Sequence, residues 1–214
     1  RSDLTQVLLR PDGWELGLYA GDKWRLFGPV TTEVGVRYDR HSHTDEGRTS
    51  PRVGLALWLD DRTVLRTGWG KYYQAEDMSG LDVRNGIDRF QPSAVATHYV
   101  AGIERQLGPG FQARLEAYHK AYRQVWSRFE NLNQSHATDP LPELAEGWVQ
   151  VFPRVGTARG VEVYLKRDTG TGLNWWTSYA LTTTRETYDA QQGHLDFRGQ
   201  ELPRRFDQLH SFSF

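Results

Sequence analysis

The chain has 214 residues, a formal net charge of −1 and no cysteine. This length suits one domain, and the near-neutral charge argues against the basic surface that nucleic-acid binders need. The lack of cysteine excludes a disulfide framework, a cysteine-based zinc site and a thiol nucleophile. The sequence has no run of 18 or more apolar residues, so we expect no transmembrane helix.

The connections between the predicted strands are alternately short and long. The short ones fall at 28–29, 60–62, 108–110 and 168–172, and the long ones at about 41–51, 74–94, 131–157 and 189–205. Tight turns at one end of the strands and long polar loops at the other are typical of an up-and-down transmembrane β-barrel. A soluble sandwich with Greek-key connections has no reason to keep that order.

About nine runs alternate apolar and polar residues with a period of two, which is typical of strands. In one run, Val161, Val163 and Leu165 alternate with Glu162 and Lys166. A soluble sandwich would turn the apolar face inward, whereas a membrane barrel would turn it outward to lipid. The long runs 111–130 and 173–188 favour the barrel, because crossing a bilayer takes about 9–11 residues.

Aromatic side chains are predicted to form two belts. Trp24, Phe27, Trp58, Phe111 and Trp175 lie near the short turns, and Trp69, Tyr72, Tyr73, Tyr118, Tyr122 and Trp126 lie toward the long loops. Amphipathic rings favour the two membrane–water boundaries. The patterns together predict an all-β fold, an antiparallel up-and-down meander in which each strand pairs with its sequence neighbours. This meander is expected to form part of a transmembrane β-barrel.

Several segments carry a family resemblance through their order and spacing. The segments SPRVGL at 50–55, TVLR at 63–66 and GWGKYYQ at 68–74 follow one another as two adjacent strands. Related segments precede them at 17–24 and 33–39 and follow them at 158–162, 175–181 and 203–210. The series resembles barrel strands of TonB-dependent outer-membrane receptors and covers nearly the whole chain.

The resemblance implies a 22-stranded barrel filled by an N-terminal plug. Such receptors take up scarce ligands, often ferric siderophores or cobalamin, with energy from the inner-membrane TonB complex. The implied partners are therefore outer-membrane lipid, the plug, the TonB complex and a small-molecule ligand, with no nucleic acid. The resemblance implies a transport receptor of the bacterial outer membrane, not an enzyme, and no cofactor.

Residues 1–214 contain neither a plug nor a TonB-contacting box, and about nine strands are too few to close such a barrel. The chain also opens without a secretory signal. We therefore expect it to be part of the barrel domain, with the plug domain absent. The alternating Phe212 and Phe214 resemble an outer-membrane assembly signal, so a natural C-terminus is an alternative.

Two sets of residues are candidates for function. The set predicted to face the lumen is Glu33, Arg37, Arg114, Glu116, Glu162 and Lys166. The set predicted to bind ligand from the long loops is Tyr72, Tyr73, Arg84, Arg89, Tyr122, Arg123, Trp126 and Arg128. Aromatic faces and guanidinium groups together suit an anionic, partly aromatic ligand such as a ferric catecholate.

Other chemistry has weaker signals. His41 and His43 flank Ser42 near two carboxylates, a combination that suits zinc or copper, but we expect a solvated loop and no metal. One alternative function is an outer-membrane enzyme with Ser127, His119 and Asn131 at the rim; sequence order alone does not show an activated serine. Another is a soluble all-β module that binds carbohydrate on Trp58, Trp69, Trp175 and Trp176.

Overall fold

The computed structural model describes residues 11–81, 87–131, 148–170, 172–188, 191–192, 195–196, 199–204 and 207–214. The strands are β1 Glu15–Phe27, β2 Val30–His41, β3 Glu46–Asp60, β4 Thr63–Gln74, β5 Ala94–Gly108, β6 Phe111–Arg123, β7 Arg128–Asn131, β8 Trp148–Val151, β9 Pro153–Arg167, β10 Trp175–Tyr188, β11 Gln191–Gln192, β12 Leu195–Asp196, β13 Glu201–Pro203 and β14 His210–Ser213. Met78–Gly80 forms a 3₁₀ turn. No helix within these ranges is long and apolar enough to cross a membrane.

The main sheet is a 10-stranded antiparallel meander. Its order is β1-β2-β3-β4-β5-β6-β9-β10-β13, and β14 also pairs with β10. The short pairs β7–β8 and β11–β12 lie outside this sheet, within the long connections. Successive long strands are therefore neighbours, as predicted. The eight long strands have 12 to 15 residues, well above the usual 5–6.

The predicted short turns all join neighbouring strands at one end of the sheet. At the β5–β6 turn, Gly110 takes a φ of 71°, a conformation that glycine adopts at little cost. One predicted long connection is wrong. The loop expected at 41–51 is a four-residue turn between β2 and β3, closed by an Arg40–Asp45 ion pair of 2.5 Å. Residues 46–50 are polar on both strand faces, so they lack the alternation of apolar and polar residues by which a strand is predicted.

Pro51 marks where this extra length begins. β3 pairs with β2 from Glu46 onward, but its pairing with β4 starts only at Arg52. Proline has no N–H to donate, so it cannot complete a ladder on that side. Beyond Pro51, β3 therefore continues with β2 as a two-stranded extension, while the end of β4 pairs only with β5.

The register confirms the predicted separation of the two faces. Val163 lies opposite Leu115 on one side and Tyr179 on the other, whereas the next residue, Glu162, lies opposite Glu116. Directly opposed residues share a face, so the apolar set is continuous across strands. We call the side that bears Val163 the apolar face and the side that bears Glu162 the polar face.

The apolar face is not buried by any part of the described chain. Leu55, Leu115, Val163 and Leu173 are 44%, 46%, 41% and 69% exposed. The soluble-module interpretation required these four residues to point into a closed core, and they do not. An apolar surface of this extent is rare on soluble monomers and is typical of a face that contacts a partner protein or a membrane.

Tyr118 spans three strands on the polar face. A Cβ built on Gly160 of β9 would lie 2.6 Å from the Cζ of Tyr118, so the ring lies flat over this glycine. Beyond the glycine, the Tyr118 hydroxyl reaches Thr182 Oγ1 of β10 at 3.0 Å. The ring can therefore cross β9 only because residue 160 has no side chain.

Candidate ligand-binding face and rim

All six residues predicted to face the lumen lie on the polar face. Glu33 starts a row of directly opposed residues that continues through Gly54, Gly68, Val100, Tyr118, Gly160 and Thr182. Each of the other five predicted lumen residues lies on the same strand as a member of this row and an even number of residues away from it. Side chains alternate between the two faces along a strand, so all five share the face of the row.

The charges on the polar face are partly paired. Arg37 Nη2 lies 2.8 Å from Asp39 Oδ1, and Lys166 Nζ lies 2.9 Å from Asp168 Oδ2. The guanidinium of Arg114 lies 5.3 Å from the ring centre of Tyr164. These contacts are exposed and contribute little to stability individually, so they indicate a hydrated polar surface.

Two carboxylates oppose each other at the middle of this face. Glu116 of β6 and Glu162 of β9 are directly paired in register, and like charges in that position are destabilising. Both line a cavity of about 580 Å³, together with Glu33, Arg52 and Lys120. Besides the two cations of this lining, Arg114 lies two residues before Glu116 on the same face.

At the end of the sheet where the long connections lie, which we call the rim, Glu186 joins three segments. This carboxylate is 3% exposed and contacts Arg128 Nη2 at 2.5 Å and Arg204 Nε at 3.5 Å. The hydroxyl of Tyr188 donates to Glu186 Oε2 at 3.1 Å. Because Arg128 is on β7 and Arg204 follows β13, the cluster ties two connections to β10.

Four of the residues predicted to bind ligand meet at this cluster. Tyr122, Arg123, Trp126 and Arg128 line one cavity of about 270 Å³, which Glu186 and Arg204 also line. The indole of Trp126 is held by donating to the carbonyl of Pro92 at 2.8 Å. Aromatic rings and guanidinium groups therefore converge at the rim.

The structure does not bring the other predicted ligand residues to that cavity. Tyr72 and Tyr73 line a separate cavity of about 660 Å³; Tyr72 packs against His98, with ring centres 4.6 Å apart. The Arg89 side chain is 91% exposed, 4.0 Å from Asp88. Arg84 lies outside the described residues.

The residues of the alternative functions do not assemble into sites. Ser127 Oγ donates to Gln91 Oε1 at 3.1 Å, while His119 Nδ1 accepts from Arg159 at 3.1 Å, so serine and histidine are engaged separately. The side chain of Asn131 lies outside the described part of the structure. Trp69 and Trp175 belong to the apolar face, whereas Trp58 and Trp176 belong to the polar face. The four rings therefore do not form one surface on which a sugar could stack.

Glu46 forms a second anchor at the rim. Its Oε2 accepts a hydrogen bond from the Ser93 amide at 2.8 Å and another from the Ser93 hydroxyl, and its Oε1 pairs with Arg48. Burial by itself raises the pKa of this carboxyl. The Ser93 hydrogen bonds and the Arg48 charge outweigh burial, so the pKa of Glu46 lies below its ordinary value.

The lowered pKa of Glu46 predicts a pH-dependent contribution to stability. A carboxyl whose pKa is lower in the folded than in the unfolded state stabilises the protein at any pH above the unfolded pKa, which is about 4.3 for Glu. That stabilisation is lost as the pH falls through the folded pKa. The difference in unfolding free energy between wild type and Glu46→Gln should therefore shrink as pH is lowered from 7 to 3. A series of urea titrations measures it, and a difference independent of pH would contradict the assignment.

Sequence reasoning missed the two carboxylate anchors. Glu186 continues the polar parity of Ser178 and Thr182, which indicated its face. Its partner Arg128 is 58 residues away, and Ser93 is 47 residues from Glu46. No local pattern signals contacts over such separations.

The match to a family model identifies the protein family of this sheet. Residues 9–212 match the model described as TonB dependent receptor-like, beta-barrel. The chain belongs to this family. A search of the curated proteins found no match.

Solved structures share the fold of this TonB-dependent receptor barrel at low identity. A mutant of the ferric enterobactin receptor PfeA from Pseudomonas aeruginosa is 15% identical with a TM-score of 0.57, covering 92% of this chain and 36% of that one. The siderophore receptor PirA from the same organism is 14% identical with a TM-score of 0.58, covering 83% and 37%. A chain of the FpvAI–pyocin S2 complex is 15% identical with a TM-score of 0.56, covering 84% of this chain and 24% of that one.

The receptor barrel described here spans 24% to 37% of the length of those chains. Its sheet therefore corresponds to a section of a larger barrel, and its first and last strands do not meet.

Proposed function

We propose that the chain is part of an outer-membrane receptor, energised by the TonB complex, that takes up a ferric siderophore. The observation that carries the proposal is the family match over residues 9–212. The exposed apolar face supports a membrane location. The strand lengths support it too, since strands of 12 to 15 residues exceed the 9–11 that cross a bilayer. In this proposal lipid covers the apolar face.

The polar face would then line the lumen. Its row of glycines leaves room beside the sheet, and the opposed Glu116 and Glu162 form a like-charge pair that calls for a compensating positive charge. A cationic group of an N-terminal plug would supply it, because a lumen carboxylate pair is stabilised by any positive charge brought within a few ångström. The plug is thus the proposed partner of this face.

The rim cavity would contribute to ligand recognition. Its lining combines Tyr122 and Trp126 with three arginines, Arg123, Arg128 and Arg204, against two glutamates, Glu76 and Glu186. The surplus of guanidinium groups favours an anion, and the rings favour stacking with an aromatic group. A ferric catecholate complex is anionic and aromatic, so it matches both properties better than a neutral carbohydrate does.

Uptake of iron-55 bound to a catecholate siderophore tests the proposal. In iron-limited cells of the natural host that lack this receptor gene, a plasmid copy should restore uptake, and deletion of TonB should abolish it. The double variant Tyr122→Ala/Trp126→Ala should bind the complex about tenfold or more weakly, because buried aromatic contacts dominate binding energy. Tyr179→Ala, on the apolar face, serves as the matched control and should bind normally.

Two outcomes would contradict parts of the proposal separately. Uptake that persists without TonB would remove the energised-receptor mechanism. Restored uptake of cobalamin, with no uptake of any ferric siderophore, would keep the receptor class and replace the ligand.

A further inference from the structure

The turn between β2 and β3 concentrates unsatisfied polar atoms. Five buried side-chain nitrogen or oxygen atoms in the described part of the chain have no hydrogen-bond partner, and three of them lie in this turn or directly before it: His41 Nδ1, His43 Nδ1 and Thr44 Oγ1. Buried polar groups are nearly always satisfied by protein, water or an ion. Two of these three atoms are histidine ring nitrogens, which are common metal ligands, and they lie two residues apart.

Glu15 completes a set of metal-ligand atoms with these histidines. One ligand atom each from Glu15, His41 and His43 lies within 4.8 Å of the other two. His41 Nδ1 is 3.3 Å from Glu15 Oε1. Two ligands of tetrahedral zinc, each bound at about 2.0–2.1 Å, are separated by about 3.3–3.4 Å. This nitrogen and oxygen already have the spacing of one edge of such a site.

The proton positions also favour metal binding by His43. Its Nε2 lies 2.8 Å from the carbonyl oxygen of Glu76. A carbonyl only accepts, so Nε2 must carry the hydrogen, and in the neutral ring Nδ1 then holds the free lone pair. Ligating histidines characteristically donate their second nitrogen in this way, which orients the ring. Phe90 packs edge-on against the ring, with centres 5.0 Å apart.

Backbone pairing holds the three residues together before any metal arrives. Glu15 is directly opposite His41 in the β1–β2 register. The Ser42 amide donates to the Trp14 carbonyl at 3.1 Å, and the Trp14 amide donates to Ser42 Oγ at 2.7 Å. His41 is 18% exposed and Glu15 is 61% exposed, so the carboxylate is free to rotate toward a metal held by the imidazoles.

We propose that Glu15, His41 and His43 bind one Zn²⁺ at the rim. Two imidazoles and one carboxylate suit zinc, and three protein ligands leave the fourth position open to water or an external group. The metal would join the start of β1 to the β2–β3 turn and, through the carbonyl of Glu76, to the connection after β4. This role is separate from siderophore uptake and goes beyond it.

Calorimetry on the full-length protein tests the site. The protein is purified in detergent without a histidine tag, stripped with chelator and titrated with Zn²⁺. We expect one zinc per chain. His41→Ala and His43→Ala should each weaken binding by more than the roughly 10–100-fold typical of outer-shell changes. Mg²⁺ should not bind, because it prefers oxygen ligands.

His119→Ala is the matched control, because His119 lies on β6 and should leave zinc affinity unchanged. Glu15→Gln tests the carboxylate at an exposed position, where misfolding is not expected, and should also weaken binding. Co²⁺ substitution should give visible absorption that all three ligand variants lose. Absence of zinc binding by wild type, or equal affinity in wild type and the ligand variants, would overturn the proposal. Siderophore uptake plays no part in these readouts, so either proposal can fail alone.

Discussion

Replacing Val163 with arginine should lower the free energy of unfolding from a bilayer by about 2–4 kcal/mol. Val163 lies on the apolar face between Leu115 and Tyr179, so the substitution places a charge among lipid chains. Glu162→Arg introduces the same side chain one residue earlier on the polar face. It replaces a like-charge pair with an attraction to Glu116, which offsets the loss of the proposed contact with a plug cation, and we expect a change of no more than about 1 kcal/mol.

Urea titration of the full-length protein in lipid vesicles measures both changes. Equal losses in the two variants would mean that the faces do not differ in environment. Because a protein core would also reject an arginine at residue 163, labelling provides the second criterion. Single cysteines at Val161, Val163 and Leu165 should react with a lipid-soluble probe and not with a water-soluble maleimide. Failure of the lipid-soluble probe at all three positions would exclude a membrane-facing surface.

Replacing Glu186 with alanine should lower the unfolding free energy by about 2 kcal/mol. Removing one partner of a fully buried ion pair costs about 3–5 kcal/mol. The expected loss here is smaller because the Arg128 and Arg204 side chains are 25% and 51% exposed and water can solvate them. Protease cleavage in the connections that carry these arginines should also accelerate.

Glu201→Ala is the control for this prediction. Glu201 is an exposed carboxylate on β13, directly opposite Thr187 of the same strand that carries Glu186. It should change the unfolding free energy by less than about 0.5 kcal/mol. A Glu186→Ala variant as stable and as protease-resistant as this control would show that the buried cluster does not anchor the rim.

The faces of the sheet were predictable from the sequence because alternation is a local property. Val161, Val163 and Leu165 could be assigned together, and the structure places them together. The extent of β3 was not predictable, because residues 46–50 are polar on both faces and lack the contrast that reveals a strand. Polar strand ends beyond the apolar region have no local sequence signal to separate them from loop.

The candidate site was predictable only where its residues are close in sequence. Tyr122, Arg123, Trp126 and Arg128 come together because a short segment at the end of β6 carries all four. Tyr72 and Tyr73, on a different strand, line a different cavity. Glu186 and Arg204 enter the site through pairing of distant segments, and whether the assembled cavity binds a ligand stays a prediction.

The contact of Tyr118 with Gly160 bears on how the strands find their correct alignment. A slip of one residue between β6 and β9 would exchange apolar and polar faces and is strongly disfavoured. A slip of two residues preserves both faces, so alternation alone cannot exclude it. Such a slip would bring Ala158 or Glu162 opposite Tyr118, and its Cβ would collide with the ring. The glycine thus distinguishes alignments that hydrophobicity leaves equivalent, and it does so during folding as well as afterwards.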